Sequence, residues 1–148
     1  MRIIVDADAC PVKETIVKIA GQYHLPVIMV SSTEHLITTP GTEIVMVDNH
    51  SQSADIYIAN HCQPGDIIVT QDYGLAAIVM ARGANAINPF GNIYTDDNID
   101  RLLMQRYLNQ KARKAREKTS RTSPRTREDN NRFEFGLNKL INTIDSTV

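Results

Sequence analysis

The sequence predicts an α/β fold: a parallel sheet of about four to five strands, flanked by helices in three Rossmann-type layers, with a basic helical extension at the C-terminal end. Three observations lead there. Apolar, β-branched runs recur at 3–5, 27–30, 44–47 and 67–69, with a weaker one at 84–87. Within them apolar residues fill consecutive positions rather than alternating, as in strands buried on both faces of a parallel sheet. The stretches between carry helical spacing, and a helix is the usual way to connect parallel neighbours.

Taken in order, the first strand ends in "DADACPVK", where Asp6 and Asp8 stand at i, i+2 and are expected on the same side of an extended strand end. Pro11 then opens a helix whose Val12, Ile16, Ile19, Ala20 and Tyr23 share one face, with Glu14 and Lys18 paired at i, i+4 on another. After the strands at 27–30 and 44–47, a second helix is expected at about 54–62. The strand at 67–69 leads into a third at about 73–82, closed by Gly83. In "YTDDNIDRLLMQRYL" Thr95 is a ready N-cap, acids fill the first turn, and Ile99, Leu102, Leu103 and Tyr107 lie on one face. Beyond Leu108 that face stops, and 109–129 reads as a frayed helix end and a mobile polar loop. A last helix near 130–144 returns Phe133, Leu137, Leu140, Ile141 and Ile144 at helical spacing and should dock on the body.

With 148 residues, 42% of them apolar, the chain suits one domain over 1–148 with a real core. No apolar run approaches the roughly 18 residues of a membrane span. With no signal-like N-terminus, a cytoplasmic protein without membrane contact is expected. Cys10 and Cys62 form no CxxC motif and are expected as reduced thiols. The net charge of −1 conceals an asymmetry. Residues 1–100 hold 4 Lys and Arg against 12 Asp and Glu, whereas 101–148 hold 12 against 5. An acidic body with a basic end suggests an anionic partner such as nucleic acid, although a solvated helical face would look the same.

The acids of the body are not scattered. Asp6 and Asp8 follow the first strand, Asp48 the third and Asp72 the fourth, while Asp55 lies in the first turn of a helix. In open α/β sheets the functional crevice lies outside the carboxyl ends of the strands. Carboxylates gathered there repel one another unless a cation, a basic group or a shared proton offsets them. Hard divalent ions such as Mg²⁺ or Mn²⁺ take oxygen ligands of this kind and activate water toward phosphodiesters. Structural readings stand beside these: Asp55 as a helix-start acid, Asp48 as a turn residue, Asp72 as an N-cap. The pair Asp6 and Asp8 is hardest to explain that way. Cys10 lies where a helix N-terminus favours a thiolate. A cysteine phosphatase would need an arginine six positions on, where Ile16 stands, so Cys10 reads as a small residue packing near the site. His61 and Cys62 have no zinc spacing with the other histidines, and no phosphate-cradling glycine loop is present.

"VDADACPVK", "SADIYIA", "PGDIIVTQDYGLA", "ARGA", "INPFG", "IYTDDNID" and "NRFEFGLNKLI", in this order over nearly the whole chain, resemble the bacterial YaiI/YqxD family. That family is similar to the PIN-like folds, whose best-known members are metal-dependent ribonucleases. The resemblance implies a PIN-like parallel sheet with an acidic site at the strand ends. Asp6 would be the first acid of that site, Asp55 the acid of the central helix, and Asp72 the one after strand four with Thr70 beside it. Asp8 belongs to the family's own "DAD" signature. Two departures are visible: Asp55 stands alone where relatives often carry two adjacent acids, and "KTSRTSPRTRED" replaces a Gly-Pro stretch.

The leading expectation is a Mg²⁺- or Mn²⁺-dependent nuclease, most readily a ribonuclease, with Asp6, Asp8 and Asp72 catalytic and Asp6, Asp8, Asp55 and Asp72 as metal ligands. Thr70 and Cys10 would support them. RNA would be held by Lys13 and Arg82 at the crevice and by Arg106, Lys111, Arg113, Lys114 and Arg116 along the basic stretch. One alternative is a non-catalytic nucleic-acid-binding or adaptor protein with the same fold. Another is a phosphatase of the haloacid dehalogenase type, with Asp6 as nucleophile and Asp8 as general acid, for which the chain is short.

Overall fold

The computed structural model describes residues 1–32, 41–49, 52–115 and 124–146, with backbone alone at 113–115. Five strands form one parallel sheet: β1 (Ile3–Asp6), β2 (Val27–Ser31), β3 (Thr42–Met46), β4 (Ile67–Val69) and β5 (Asn85–Ile87), in the order β3-β2-β1-β4-β5. Pairing is in step from the first residues, Ile3 opposite both Val27 and Ile67. Strand alternation divides the core into two layers. Ile3, Val5, Ile67, Val69 and Ile87 face α1 (Lys13–Tyr23) and α5 (Arg127–Ser146), where Ile16, Ile19, Phe133 and Leu137 are fully buried. Ile4, Val30, Ile68 and Ala86 face α2 (Ser53–His61), α3 (Tyr73–Ala81) and the start of α4 (Asp96–Ala115), meeting Ile58, Leu75, Val79 and Ile99. This is the expected three-layer α/β arrangement, and the consecutive apolar runs are explained by burial on both faces.

The helix boundaries differ from expectation in instructive places. Pro11 lies in the turn before α1, which starts two residues later. Helix α4 begins where Thr95 predicts: Thr95 N donates to Asn98 Oδ1 at 2.9 Å and Asn98 N to Thr95 Oγ1 at 3.2 Å, a reciprocal cap. It does not fray after Leu108 but runs to Ala115, because Gln, Lys, Ala and Arg are strong helix formers even without an apolar face. Its middle stands off the body, leaving Met104, Tyr107 and Leu108 about half exposed. Helix α5 starts at Arg127 rather than near 130, for a reason present in the sequence. Thr126 N donates to Asp129 Oδ2 at 2.9 Å and Asp129 N to Thr126 Oγ1 at 3.2 Å, a second reciprocal cap. The expectation for 116–123 lies outside the described residues. Among those described, no helix is long and apolar enough to cross a membrane.

Two contacts hold the ends of the sheet. At the amino edge the Asp66 carboxylate, 3% exposed, accepts from Arg2 Nη2 at 2.7 Å and from Gln63 N at 2.9 Å, joining the starts of β1 and β4. Near the carboxyl edge the loop after β5 meets α5 backbone to backbone at Gly91 and Gly136. A Cβ on Gly136 would collide with the Gly91 carbonyl, and one on Gly91, at φ +87°, with the Arg132 carbonyl. The glycines of "INPFG" and "FEFGLNKLI" are therefore two halves of one contact. Gly136→Ala should lower stability by about 1–3 kcal/mol through overpacking, despite alanine's better helix propensity. Gly21→Ala in α1, with nothing near its Cβ, should be neutral or gain up to about 1 kcal/mol. Urea unfolding of both variants checks this, and an equal response of the two would refute the close contact.

Candidate active site

The strand order reverses between β1 and β4, and the crevice of an open α/β sheet lies at such a switch point. Asp6 ends β1 on the same face as Ile4, looking toward α2 and α3. Thr70 follows the last residue of β4, and its hydroxyl donates to Asp6 Oδ2 at 3.1 Å. The same hydroxyl accepts from Asp72 N at 3.0 Å, so one buried threonine positions both acids. Asp72 caps α3: its Oδ1 accepts from Gly74 N at 2.8 Å and Leu75 N at 3.2 Å, and Arg106 Nη1 of α4 stands 3.3 Å from the same oxygen. Asp55, in the first turn of α2, hydrogen-bonds the Asp72 side chain. Three acids from three elements thus meet beside the switch point.

Their proton affinities follow from these contacts. Burial, with the charges of Asp72 and Asp8, raises the Asp6 carboxyl above the usual range, against the pull of Thr70. Burial and the hydrogen bond to Asp72 push Asp55 up to about 7, with the Asp72 and Asp6 charges adding to the shift. Asp72 moves down despite desolvation, because the Asp55 hydrogen bond, the α3 amides and Arg106 favour its ionised form. Asp55 and Asp72 therefore hold one proton between them at acidic pH and lose it near neutrality. This proton, together with Arg106, offsets the repulsion the sequence foretold.

Asp8 goes elsewhere. It lies beyond the end of β1, and its carboxylate accepts from Ser31 Oγ at 2.6 Å, Ser32 Oγ at 2.7 Å and Ser32 N at 3.0 Å. These bonds, with the Lys13 charge nearby, outweigh desolvation and lower its pKa. Asp8 still lines a cavity of about 270 Å³ with Asp6, Asp48, Asp55 and Asp72. An open concavity of about 380 Å³ adjoins it on the α4 side, where Asp6 and Asp72 meet Gln71, Tyr73 and Arg106. Among the described residues no three His, Cys, Asp or Glu side chains are grouped to hold one ion as they stand. The donor set fits Mg²⁺ or Mn²⁺ in another way. Mg²⁺ commonly binds through one or two carboxylates and keeps its waters, and the Asp55–Asp72 pair supplies two hard oxygen donors of that kind.

The match to known sequences is nearly full length. Residues 4–143 fit the family described as "Uncharacterized BCR, YaiI/YqxD family". The chain belongs to the YaiI/YqxD family. It is 45% identical over 148 residues to a UPF0178 protein of Alkaliphilus oremlandii, covering all of this chain and 94% of the relative. A UPF0178 protein of Clostridium novyi is 50% identical over 142 residues, 96% of this chain and 95% of the relative. No solved structure is significantly similar to it.

Of the residues this family resemblance singled out, Asp6, Asp55, Asp72 and Thr70 are brought together and Asp8 stands at their flank. Lys13, the first residue of α1, lies close enough to act on Asp8. Arg82 does not reach the rim: it follows α3 at the end away from Asp72, beside Gly83, which packs on Pro64 of the amino edge. A nine-residue helix separates it from the acids, a spacing of about 1.5 Å per residue. Cys10 is buried on the α1–α5 face of the sheet, and burial raises its thiol pKa rather than favouring a thiolate. Lys111 stacks over Tyr107 at 4.9 Å on exposed α4. Arg113 and Lys114 are described by backbone alone, and Arg116 lies outside the described residues. Among the described residues, Arg106 is the basic residue that forms an ion pair with these acids, and i, i+4 steps back along α4 from it give no sequence signal of that contact.

The shared proton has a measurable sign. Asp55, whose folded pKa is raised, contributes stability that is fully present below its unfolded pKa and is lost as pH rises toward about 7. Asp55→Asn keeps a hydrogen-bond donor for Asp72 without the charge. The variant should therefore unfold at higher temperature than wild type at pH 8, and the gap should close as pH falls toward 4 (melts in buffers of matched ionic strength). A gap independent of pH would mean that Asp55 carries no shifted proton.

Proposed function

We propose that the chain is a metal-dependent nuclease acting on single-stranded RNA, with Asp6, Asp55 and Asp72 as its acidic centre. The observation that carries this reading is the Asp55–Asp72 pair at the switch point. Capping α3 needs Asp72 alone, so a second carboxyl pressed against it has no structural use and destabilises the fold when ionised. Mg²⁺ or Mn²⁺ would be held by Asp55 and Asp72 with Asp6 alongside; when bound, such an ion polarises a phosphoryl oxygen and lowers the pKa of water. Thr70 keeps Asp6 and Asp72 in register with each other. Loss of the shared proton near neutrality turns the pair into a doubly charged cradle. Arg106, about half exposed, tempers that charge and is a fork-shaped donor for phosphate. The basic α4 beyond it adds long-range attraction for a phosphate backbone.

A second reading, a non-catalytic RNA-binding module, is favoured by one observation: the proton and Arg106 already satisfy the acids without an ion. The phosphatase reading loses ground at Asp8, whose bonds from Ser31 and Ser32 stabilise the ionised form and leave it without a proton to donate.

Asp72→Asn separates the two remaining readings, because asparagine is also a good N-cap and should preserve α3. With Mn²⁺, wild type should cleave end-labelled single-stranded RNA. The variant should bind that RNA equally but cleave it at least about a hundredfold more slowly, the scale of losing one preorganised charged group. Binding without cleavage by wild type would establish the binding module instead.

A further inference from the structure

A second cavity, of about 520 Å³, opens between the loop after β5, α4 and α5, and its character is opposite to that of the acidic site. No acid lines it. Its charged residues are Arg101 and Lys139, and among the described residues neither has a carboxylate partner, unlike Arg2, Lys18, Arg106 and Arg132. On a body whose first hundred residues are strongly acidic, two free cations in one concavity form a local anion site. Its loop is rigid. Asn88 Oδ1 accepts from Phe90 N at 2.9 Å and Asn92 N at 3.0 Å, and Asn98 Nδ2 donates to Ile93 O at 3.0 Å. The Gly91–Gly136 contact fixes that loop against α5. The side-chain amide of Asn92 makes no hydrogen bond among the described residues, which leaves it open to a base edge. At the mouth stands Phe135, 73% exposed, an aromatic face turned to solvent beside two cations.

The cavity and the acidic site share one wall residue, Tyr73. This residue follows Asp72 and lines both this cavity and the concavity of Asp6, Asp72 and Arg106. Cations without partners, a free amide and an exposed aromatic ring are the parts with which proteins hold single-stranded nucleic acid. The volume is within the roughly 300–1,000 Å³ typical of ligand cavities. We propose that this cavity is the subsite for a nucleotide neighbouring the scissile phosphate of single-stranded RNA, with Arg101 and Lys139 on its phosphate and Phe135 beneath its base. The inference rests on the nuclease reading for the identity of the polymer. Its binding energy is independent of divalent ions, so the two can be tested apart.

The probe is a fluorescein-labelled decaribonucleotide of mixed sequence, titrated with full-length protein in EDTA and followed by anisotropy. Arg101→Glu with Lys139→Glu should weaken binding by at least about tenfold at about 50 mM salt, and lower the salt slope by about 0.7, the share of one phosphate on a single strand. Phe135→Ala should weaken it by about tenfold with the slope unchanged, since stacking releases no counterions. The replaced side chains are exposed, so the variants should melt with the wild type. Lys18→Glu with Arg82→Glu changes net charge equally on other surfaces and should stay within about twofold of wild type. No binding by wild type, cavity variants that bind like it, or a control that loses as much would each overturn the subsite. Wild-type binding with these responses but no Mn²⁺-dependent cleavage would overturn the nuclease reading and leave the subsite standing.

Discussion

Strand β1 is hydrogen-bonded along both edges, to β2 on one side and β4 on the other, and the chain reverses its order of strands there. A strand so placed has no freedom to slip, because a shift of one residue would turn Ile3 and Val5 off one core layer and Ile4 off the other. That constraint fixes where Asp6 emerges and toward which helices it looks. Every other part of the site is measured from it. Thr70 arrives beside Asp6 because β4 runs in step with β1, and Asp72 arrives two residues later because α3 must be capped at that height. At the opposite edge, Asp66 and Arg2 lock the same two strands at their starts.

Charge then decides what the geometry allows. Four carboxylates around one cavity are tolerable only where something compensates each of them. Asp8 is compensated by serine hydroxyls, Asp72 by helix amides and Arg106, Asp6 by Thr70 alone, and Asp55 by a proton. The order of proton affinities follows the quality of these partners rather than the residue type, since all four are aspartates. Asp55 is the least well served. It lies in the middle of the pH range in which a cell works, so small changes in its surroundings alter the charge of the whole centre.

Much of this was legible in the sequence, and the failures have physical causes. Buried parallel strands announce themselves by consecutive apolar residues, and all five appear within about two residues of their expected positions. The acids at the ends of β1 and β4 were legible because a strand end is a local feature. Arg82 was misplaced because sequence proximity to an acid-bearing helix does not reveal which end of that helix faces the site. The run of α4 to Ala115 was missed because amphipathic spacing was taken to mark the helix, whereas intrinsic propensity sustains it past the body. The cap of α5 was present as Thr126-x-x-Asp129 and went unread. The second cavity had no local signature at all: Arg101, Phe135 and Lys139 meet only because α4 and α5 cross the same loop.

The "DAD" motif shows how a periodicity argument fails at its boundary. Side chains at i, i+2 share a face only while the backbone stays extended, and β1 ends at Asp6. Ala7 still donates its amide to Val30 O at 2.9 Å and is buried among the α1–α5 layer, but Cys10 N already closes a turn onto Ala7 O. Between those two bonds the chain bends toward β2, and Asp8 is delivered to the serines at the end of that strand. The motif therefore distributes its two charges across two neighbouring strand ends instead of stacking them. Asp6 stays with β4 and the acidic pair, and Asp8 ties the β1 turn to Ser31 and Ser32. A single short sequence thus supplies one residue to the acidic cluster at the switch point and one to the bracing of its wall.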